Sequence, residues 1–419
     1  MNDFHYRNNE LWCEDVPLKA VARKAGTPTY VYSRSTLERH FNVFDRSFEK
    51  IDHLVCFSVK SNSNTAILRI FAREGGGVDI VSGGELYRAL QAGVDPRKIV
   101  YSGVGKRVDE IEFALEAGIL LFNVESLQEL EVIDACAARM GKKAPIALRV
   151  NPDVDPQTHP YISTGLKENK FGINVERSLQ AYRQARSLPS VEIQGVSCHI
   201  GSQLTKISPF VDALKRLKRL VSLLRKEGIR IRYLDLGGGL GITYREEEPP
   251  HPSEYARAVM KAAKDLDVTF IFEPGRVIVG NAGILLTKVL YTKTNEDKRF
   301  IVVDAGMNDL IRPSLYSSYH GIQPVLKSHR ETVTADVVGP ICESGDYLAK
   351  GRELPLFERN ELMAVMSAGA YGFTMSSNYN SRPRAAEVLV DGSRFSVIRR
   401  RETYRDLVRG ERMPEFLTD

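Results

Sequence analysis

The sequence has few of the features that mark secreted, metal-binding or membrane proteins. Its five cysteines are odd in number, scattered, and never form a Cys-x-x-Cys pair, which argues against both a disulfide framework and a zinc site. No apolar run is long enough to span a bilayer, and residues 1–5 lack the apolar core of a signal peptide. We therefore expect a soluble cytoplasmic protein with no bound metal and no membrane contact.

Excess positive charge is also scarce, because the formal net charge of the 419 residues is only +5. The densest basic run, 215–219, lies in a segment where Leu214, Leu217 and Leu220 form the apolar stripe of a helix. A second basic cluster, 399–412, lies near the C-terminus. We interpret both as solvated faces, so nucleic acid is not an expected partner.

Eight short apolar runs alternate with helix-like segments. The runs are 54–59, 78–81, 99–101, 120–124, 146–150, 193–198, 233–236 and 269–272. Segments between them, such as 126–140 and 209–227, have apolar residues at the spacing of a helix. Eight such units over about 240 residues are typical of a (β/α)8 barrel of the TIM type. A doubly wound open sheet is the alternative, but it seldom needs eight units.

After residue 276 the long helices disappear. Strand-like patterns occupy 284–291, 300–303, 332–338, 362–366, 386–389 and 395–398. The sequence thus predicts a barrel domain over 35–278 and a mostly β domain, a barrel or sandwich, over 279–419. Residues 1–34 are expected to form an extended piece that pairs with the β domain, and Ser35 is a plausible helix N-cap.

Lys60 follows the first predicted strand. A lysine in this position commonly packs its stem along apolar surface while its ammonium reaches water. Alternatively, burial leaves a neutral amine that can form an imine with a carbonyl. Taken alone, the stretch 54–64 favours the first interpretation.

Polar residues follow the other strands at the end where barrel enzymes collect their functional groups. They are Asp79 and 82–84, then Arg149 and Asn151, then 199–203, 235–241 and 273–276. The triple glycine 237–239 allows backbone amides to approach an anion closely, although glycine loops also serve as plain turns. Because phosphates often bind after strands seven and eight, we predict a phosphate cradle there, with Ser202 as a further donor.

A phosphate cradle and an imine-forming lysine are compatible with two kinds of enzyme. One is a Schiff-base aldolase acting on a sugar phosphate, and the other is a pyridoxal phosphate enzyme. Glu273 favours the second, because a carboxylate can keep a pyridine nitrogen protonated. His199 is a flat side chain suited to stacking on the ring. Taken singly, each also has an ordinary structural explanation.

Five motifs of the first domain closely resemble fold-type III pyridoxal phosphate-dependent decarboxylases. They are FSVKSN (57–62), VDIVSGGEL (78–86), HIGSQ (199–203), GGGLG (237–241) and EPGR (273–276). In the second domain, DAGMNDLIRPSLY (304–316), GPICESGD (339–346) and AGAYG (368–372) are similar to diaminopimelate decarboxylases. The resemblance runs from about residue 29 to 390. Ser58, Ser61 and Ser314 stand where the family pattern suggests alanine, which is a small-for-small change.

The resemblance implies roles for the matching residues. Lys60 would carry the aldehyde of pyridoxal 5'-phosphate with Asp79 nearby, Glu273 would pair with the ring nitrogen, and His199 would stack on the ring. The phosphate would be held by Ser202, Gly238, Gly239, Gly275, Tyr371 and the backbone amide of Arg276.

The resemblance also implies a substrate site. The side chains of Arg276, Arg312 and Tyr316 would bind the distal carboxylate of the substrate, and Glu343 would bind its distal amine. Tyr371 would also be a substrate-binding residue. Cys342 would donate the proton that replaces carbon dioxide. Together with Lys60 and His199, it would make up the catalytic residues. In this family the Cys-Glu pair reaches the site of the neighbouring subunit, which implies a homodimer with shared active sites.

Two arginines, a phenol and one carboxylate suit a distal end that carries both charges, because arginine recognises carboxylates in a forked geometry. Ornithine or lysine would present only a cation there. This chemistry supports the reaction that the resemblance implies, which is decarboxylation of meso-2,6-diaminopimelate to L-lysine, the last step of lysine biosynthesis. The alternatives are a relative acting on arginine, ornithine or carboxynorspermidine, or an inactive partner-binding relative, which would be expected to have lost Lys60 or Cys342. The loop 164–172 could close over the mouth of the barrel.

Overall fold

The computed structural model describes residues 2–155 and 170–417. The chain forms two compact units, one spanning Leu37–Gly280 and the other joining Met1–Thr36 to Asn281–Asp419. Most of the loop 164–172 lies outside the described residues. Across the described ranges, no helix has both the length and the apolar character needed to cross a membrane.

The first 33 residues contain more regular structure than one extended piece, so that prediction is wrong in part. The elements are β1 (Phe4–Arg7), β2 (Glu10–Cys13), β3 (Val16–Pro17), helix α1 (Leu18–Ala25) and β4 (Thr29–Ser33). The first three strands form an antiparallel sheet of their own. Helix α1 buries Leu18 and Val21 on one face, which explains its stability despite its length of two turns.

Helix α2 (Arg34–Arg46) begins earlier than the sequence predicts, and the prediction of Ser35 as its N-cap is wrong. The Ser33 hydroxyl accepts the backbone N–H of Thr36 at 3.1 Å, which is the hydrogen bond that a capping residue makes. The Ser35 hydroxyl instead donates to Asp3 at 2.6 Å. Two serines on either side of Arg34 made the cap ambiguous by two positions.

Eight parallel strands close into a barrel within Leu37–Gly280, which confirms the predicted (β/α)8 fold. In chain order the strands of this unit are β5 (His53–Ser58), β6 (Gly77–Ile80), β7 (Ile99–Tyr101), β8 (Leu121–Val124), β9 (Ala144–Asn151), the short β10 (Ile173–Asn174), β11 (Val191–Ser197), β12 (Tyr233–Asp235) and β13 (Thr269–Phe272). Within the described ranges, strand β10 pairs with β9 alone, and β13 pairs with β5 to close the barrel.

The helices of this unit follow the strands as expected. After α2 they are α3 (Thr65–Arg73), α4 (Gly83–Gln91), α5 (Val108–Ala117), α6 (Leu127–Arg139), α7 (Val175–Ser187), α8 (Ser208–Lys226), α9 (Pro252–Ala262) and the single turn α10 (Arg276–Val279). The parallel register sets the ends of neighbouring strands at one level, since Ser58 pairs with Asp79 and Ser197 pairs with both Arg149 and Asp235. The polar residues that end the strands are therefore gathered at one mouth of the barrel.

The second unit is mostly β, as predicted. Its elements are β14 (Gly283–Asn295), β15 (Lys298–Val303), α11 (Arg312–Tyr316), β16 (Ile322–Pro324), β17 (Thr332–Val338), β18 (Tyr347–Pro355), β19 (Leu362–Val365), β20 (Ala386–Asp391), β21 (Arg394–Arg399) and α12 (Tyr404–Leu407). In its main sheet, β4 lies between β14 and β20. The sequence patterns missed β18, an edge strand in which Lys350, Arg352 and Glu353 interrupt the apolar alternation.

Candidate active site

A cavity of about 160 Å³ lies at the carboxyl ends of the barrel strands. Each of the eight strands contributes a lining residue at or near its end. The lining consists of Lys60, Val81, Ser102, Gly103, Asn123, Arg149, Phe171, Ser197, Cys198, His199, Asp235 and Glu273. The structure therefore brings together Lys60, His199 and Glu273, three residues that the sequence singled out from different strands.

Lys60 lies on a 3₁₀ turn, Val59–Ser61, directly after β5. Its Nζ donates to Asp79 Oδ2 at 2.6 Å, and the Ser58 hydroxyl donates to the same oxygen at 3.0 Å. Asp79 is fully buried, whereas 34% of the Lys60 side chain is exposed. Asp79 Oδ1 has no hydrogen-bond partner within the described part of the chain. The amine is thus held by a buried carboxylate and is still reachable from the cavity.

His199 follows β11 and is kept neutral by its surroundings. Burial lowers the pKa of His199 well below its usual value, and the positive charges of Arg149 and Lys60 lower it further. Its Nδ1 accepts the backbone N–H of Gly238 at 3.2 Å, so this nitrogen carries no proton. The site therefore presents an uncharged, flat imidazole beside the lysine.

Two buried carboxyl groups, Glu273 and Asp235, share a hydrogen bond in the cavity wall. Burial raises the pKa of Glu273 well above its usual range, and the negative charge of Asp235 raises it further. Asp235 accepts from Asn123 Nδ2 at 2.8 Å and from the Gly237 backbone at 2.9 Å, whereas the Ser102 and Asn123 donors of Glu273 lie at 3.3 Å. Asp235 is the better stabilised anion, and Glu273 holds the proton.

This pair gives a direct test of the expected cofactor. Two carboxyl groups buried without a cation are costly, and a protonated ring nitrogen is the kind of group that would balance them. The neutral His199 beside Lys60 suits an aromatic ring better than a charged imidazole would. The polar side chains that line the cavity therefore fit pyridoxal phosphate.

The glycines of the predicted phosphate cradle are required by close backbone packing. A Cβ on Gly239, whose φ is +118°, would lie 2.5 Å from the carbonyl oxygen of Gly201, and one on Gly238 would lie 2.1 Å from that of Glu273. The backbone N–H groups of Gly239 and the buried Gly275 meet no acceptor among residues 2–155 and 170–417. A buried amide without an acceptor, as at Gly275, is rare without a ligand, which supports an anion site.

Arg276 and Ser202 contact each other. Arg276 Nη2 donates to the Ser202 hydroxyl at 3.0 Å, and Nη1 donates to the Tyr244 hydroxyl at 2.7 Å. Arg276 is buried at the start of α10. Tyr244 lies in no motif, so nothing in the sequence pointed to it.

The sequence also left Ser102, Asn123 and Asp235 without roles, although they line the cavity. Arg149 was noted only as the end of a strand, and it forms a buried ion pair with Glu125 at 2.7 Å. A signal was available for all of them, because each lies at or beside the carboxyl end of a predicted strand. The missing information was which strands are neighbours.

In the β unit, Asp346 joins the two loops that carry the predicted substrate and proton-donor residues. Its carboxylate accepts the backbone N–H of Met307 at 2.6 Å and that of Ile341 at 2.7 Å. Gly306 and Gly339 pack directly, since a Cβ on Gly339 would lie 2.4 Å from the Gly306 Cα. The stretches 304–316 and 339–346 therefore form one assembled region.

This region holds four of the predicted residues in two different environments. Arg312 is buried and lies over the Tyr316 ring, with its guanidinium 5.9 Å from the ring centroid. Cys342 and Glu343 are exposed on the chain, and the Cys342 backbone N–H donates to Asn380 Oδ1 at 2.7 Å. The arginine is thus a buried side chain held against an aromatic ring, whereas the cysteine lies on an anchored, exposed loop.

Tyr371 adopts a left-handed backbone, with a φ of 55°. The next residue must be glycine, because a Cβ on Gly372 would lie 2.5 Å from the Ala368 carbonyl oxygen and 2.7 Å from the Tyr30 ring. Tyr30 is itself fixed by a hydrogen bond of 2.6 Å from its hydroxyl to the Asp309 carbonyl. A strained tyrosine held by such packing is typical of functional positions.

Comparisons with known proteins agree with this chemistry. A family model described as pyridoxal-dependent decarboxylase, pyridoxal binding domain, matches residues 34–280. The diaminopimelate decarboxylase of Pseudomonas aeruginosa is 56% identical over 411 residues, which cover 98% of this chain and 99% of that protein. The enzyme of Vibrio cholerae is 54% identical over 404 residues, covering 96% and 97% of the two chains.

Solved structures show the same relationship. Diaminopimelate decarboxylase of Helicobacter pylori, complexed with L-lysine, has a TM-score of 0.91 and 43% identity over 94% of this chain and 98% of that one. The M. jannaschii enzyme, also with L-lysine, has a TM-score of 0.94 and 38% identity, and each chain is covered completely. The expectation of a pyridoxal phosphate enzyme is confirmed over that of an aldolase, and this chain belongs to the diaminopimelate decarboxylases of the pyridoxal-dependent decarboxylase family.

Proposed function

We propose that this protein uses pyridoxal 5'-phosphate to remove one carboxyl group from meso-2,6-diaminopimelate and releases L-lysine and carbon dioxide. The similarity to diaminopimelate decarboxylases over almost the whole chain carries this proposal. Two of the similar structures are described as complexes with L-lysine, the expected product. The buried Arg312 and Arg276 add the carboxylate-binding groups that such a substrate needs.

The cofactor would be held by the cavity described above. Lys60 would bind its aldehyde, Glu273 its ring nitrogen and His199 its ring face. Its phosphate would be bound by Ser202, Gly238, Gly239, Gly275, Tyr371 and the backbone N–H of Arg276. When bound, pyridoxal phosphate supplies a protonated ring that accepts the electron pair left behind by departing carbon dioxide.

The acidic residues of the barrel would control protons around this group. Asp79 holds the Lys60 ammonium at Nζ whenever that amine is protonated, because its buried oxygen lies 2.6 Å away. Glu273 would share its proton with the ring nitrogen. The negative charge of the neighbouring Asp235 stabilises the protonated form of Glu273. His199 stays neutral and therefore does not oppose the positive charge on the ring.

The residues of the β unit would determine the substrate. Arg312, Tyr316 and the side chain of Arg276 would bind the distal carboxylate, with Tyr371 close by, and Glu343 would bind the distal amine. A diamine-forming enzyme meets no carboxylate at that end and has no use for a buried arginine there. The combination of cationic and anionic partners therefore favours a substrate with an amino-acid group at both ends.

Cys342 would act as the general acid, giving its Sγ proton to the substrate carbon that has lost the carboxylate. In one chain, Cys342 and Glu343 lie exposed on a loop fixed by Asp346 and Asn380. An exposed proton donor suits a homodimer in which this loop completes the site of the other subunit. The dimer is therefore part of the proposal.

Lysine release from meso-diaminopimelate tests the proposed activity. The purified protein, supplied with pyridoxal phosphate, should produce lysine and should leave arginine, ornithine and carboxynorspermidine unchanged. Borohydride reduction should bleach the visible absorbance and leave the cofactor attached to Lys60 in peptide mass spectrometry. Turnover of another amino acid in place of diaminopimelate would refute the substrate, and an adduct elsewhere would refute the site.

Mixing inactive variants tests the shared sites. Lys60→Ala and Cys342→Ala should each be nearly inactive alone. If Cys342 acts across a dimer interface, mixed dimers contain one intact site, and random reassociation should restore about a quarter of the wild-type activity. Failure to restore activity in dimers shown to have exchanged subunits would place Cys342 in its own subunit's site.

A further inference from the structure

The Arg312 guanidinium contacts a buried histidine that no motif assigned. Arg312 Nε donates to His320 Nε2 at 3.4 Å, and Nη2 donates to the Ser318 hydroxyl at 3.3 Å. Arg312 is 5% exposed and His320 is completely buried. Because a guanidinium can only donate, His320 Nε2 must be the acceptor and carries no proton.

The other ring nitrogen fixes the remaining proton. His320 Nδ1 lies 2.9 Å from the backbone carbonyl oxygen of Met366, which can only accept, so Nδ1 must carry the proton. The two contacts together define one neutral tautomer. The surrounding backbone is also held, since Arg352 donates to the His320 carbonyl at 2.9 Å and Met366 N–H donates to Gly321 at 2.8 Å.

We propose that His320 is a positioning residue that sets the Arg312 side chain for the distal carboxylate of the substrate, and that it thereby contributes to the selection of substrates carrying that group. The inference rests on the proposed function. It adds to that function a residue that never touches the substrate.

The chemistry explains why a neutral acceptor is needed at this position. An aspartate or glutamate would form a forked ion pair with Arg312 and occupy the donors that a substrate carboxylate uses. A neutral imidazole takes only the Nε donor. It satisfies one buried N–H without neutralising the cation, and its short, ring-shaped side chain leaves the guanidinium little freedom to turn.

Two variants and two matched ligands test the role. His320→Asn can still donate to Met366 but is too short to reach Arg312, whereas His320→Gln can reach Arg312 with a carbonyl oxygen. L-lysine and 1,5-diaminopentane differ only in the carboxylate. Both are measured as competitive inhibitors of the holoenzyme, alongside the KM and kcat for meso-diaminopimelate and the Kd for pyridoxal phosphate.

We expect His320→Asn to raise the KM for diaminopimelate and the inhibition constant of lysine by about tenfold, because a charge-assisted contact is misoriented. Its kcat, its cofactor Kd and the inhibition constant of diaminopentane should stay within about twofold of wild type, and His320→Gln should restore most of the lysine affinity. Equal weakening of both inhibitors, or no weakening of lysine, would overturn the assignment.

A double-mutant cycle covers the case in which His320→Asn does not fold. His320→Ala removes the acceptor and should by itself raise the inhibition constant of lysine by about tenfold. In the Arg312→Lys background the same substitution should change that constant no further, since the residue acts only through Arg312. Additive effects would overturn the inference. A wild-type protein that releases no lysine from diaminopimelate would refute the proposed function and this inference with it, whereas failure of the cycle alone refutes only the role of His320.

Discussion

Replacing Glu273 by glutamine should separate the stability of this protein from its activity. In the cofactor-free protein Glu273 is protonated, because burial and the charge of Asp235 both raise its pKa. A glutamine offers the same pattern, with an N–H for Asp235 and a carbonyl oxygen for the Ser102 and Asn123 donors. The cofactor-free variant should therefore fold as well as the wild type near neutral pH.

The stability of the variant should also depend on pH differently from that of the wild type. A carboxyl group whose pKa is higher in the folded than in the unfolded state contributes stability that is complete below its unfolded pKa and lost as pH rises through the folded pKa. For Asp235 this window runs from 3.8 to about 6, and for Glu273 it runs upward from 4.5 because burial raises that pKa well above its usual value. Glu273→Gln removes the second contribution, so its stability should fall less steeply above pH 6 than that of wild type.

The activity of Glu273→Gln, unlike its stability, should fall. A glutamine cannot supply a negative partner for a protonated ring nitrogen, and a hydrogen bond to a charged group contributes about 1.5–3 kcal/mol, or roughly ten- to a hundredfold in rate. Urea unfolding of the cofactor-free protein at pH 6 and pH 8, with lysine release by the holoenzyme, measures both properties.

Asp235→Asn is the matched control. Besides the hydrogen bond shared with Glu273, Asp235 accepts from Asn123 with one oxygen and from the Gly237 backbone with the other. An asparagine has an oxygen for only one of these two donors. This variant should lose stability, unlike Glu273→Gln. A Glu273→Gln protein that unfolds easily but keeps full activity would refute the assigned proton and the role of Glu273 together.

Three further substitutions test other parts of the molecule. Lys106→Met should lower the free energy of unfolding by about 3–5 kcal/mol in urea, because it leaves the buried partner Glu129 unpaired, and the loss should shrink at low pH where Glu129 can take a proton. Cys342→Ala should keep the visible absorbance of the bound cofactor and lose most lysine release; near-normal turnover would remove the thiol from the mechanism. Gly239→Ala should weaken cofactor binding, measured by titration of the cofactor-free protein, because its Cβ would lie 2.5 Å from the Gly201 carbonyl oxygen; unchanged affinity would argue against the phosphate cradle.

The sequence predicted the barrel well because its signal is local. Parallel strands buried on both faces require continuous apolar runs, and all eight predicted runs match strands to within about two residues. The polar residue that ends each run is equally visible, which is why Lys60, His199 and Glu273 could be selected before their neighbours were known.

The contacts between those residues could not be predicted, because they depend on which strands lie side by side. Asp235 and Glu273 are close because β12 and β13 are adjacent, and Asn123 reaches both of them across the barrel. Nothing local to Tyr244 indicated its hydrogen bond to Arg276. Strand β18 was missed for a related reason, since its charged edge obscures the apolar alternation.

The two units carry complementary chemistry. The barrel unit gathers Asp79, Asp235 and Glu273 around Lys60, which suits a protonated ring and a lysine amine. The pyridoxal-binding family model matches residues 34–280, which contain this unit.

In the β unit, Arg312 donates to the neutral His320 and keeps its positive charge, so this arginine suits a carboxylate. Tyr371, proposed to bind the phosphate, and the Arg276 side chain, proposed to bind the substrate, are the exceptions to this division. Substitutions within 304–320 should therefore change the substrate preference and leave the cofactor affinity intact. A loss of cofactor binding that parallels the loss of substrate binding there would contradict the division.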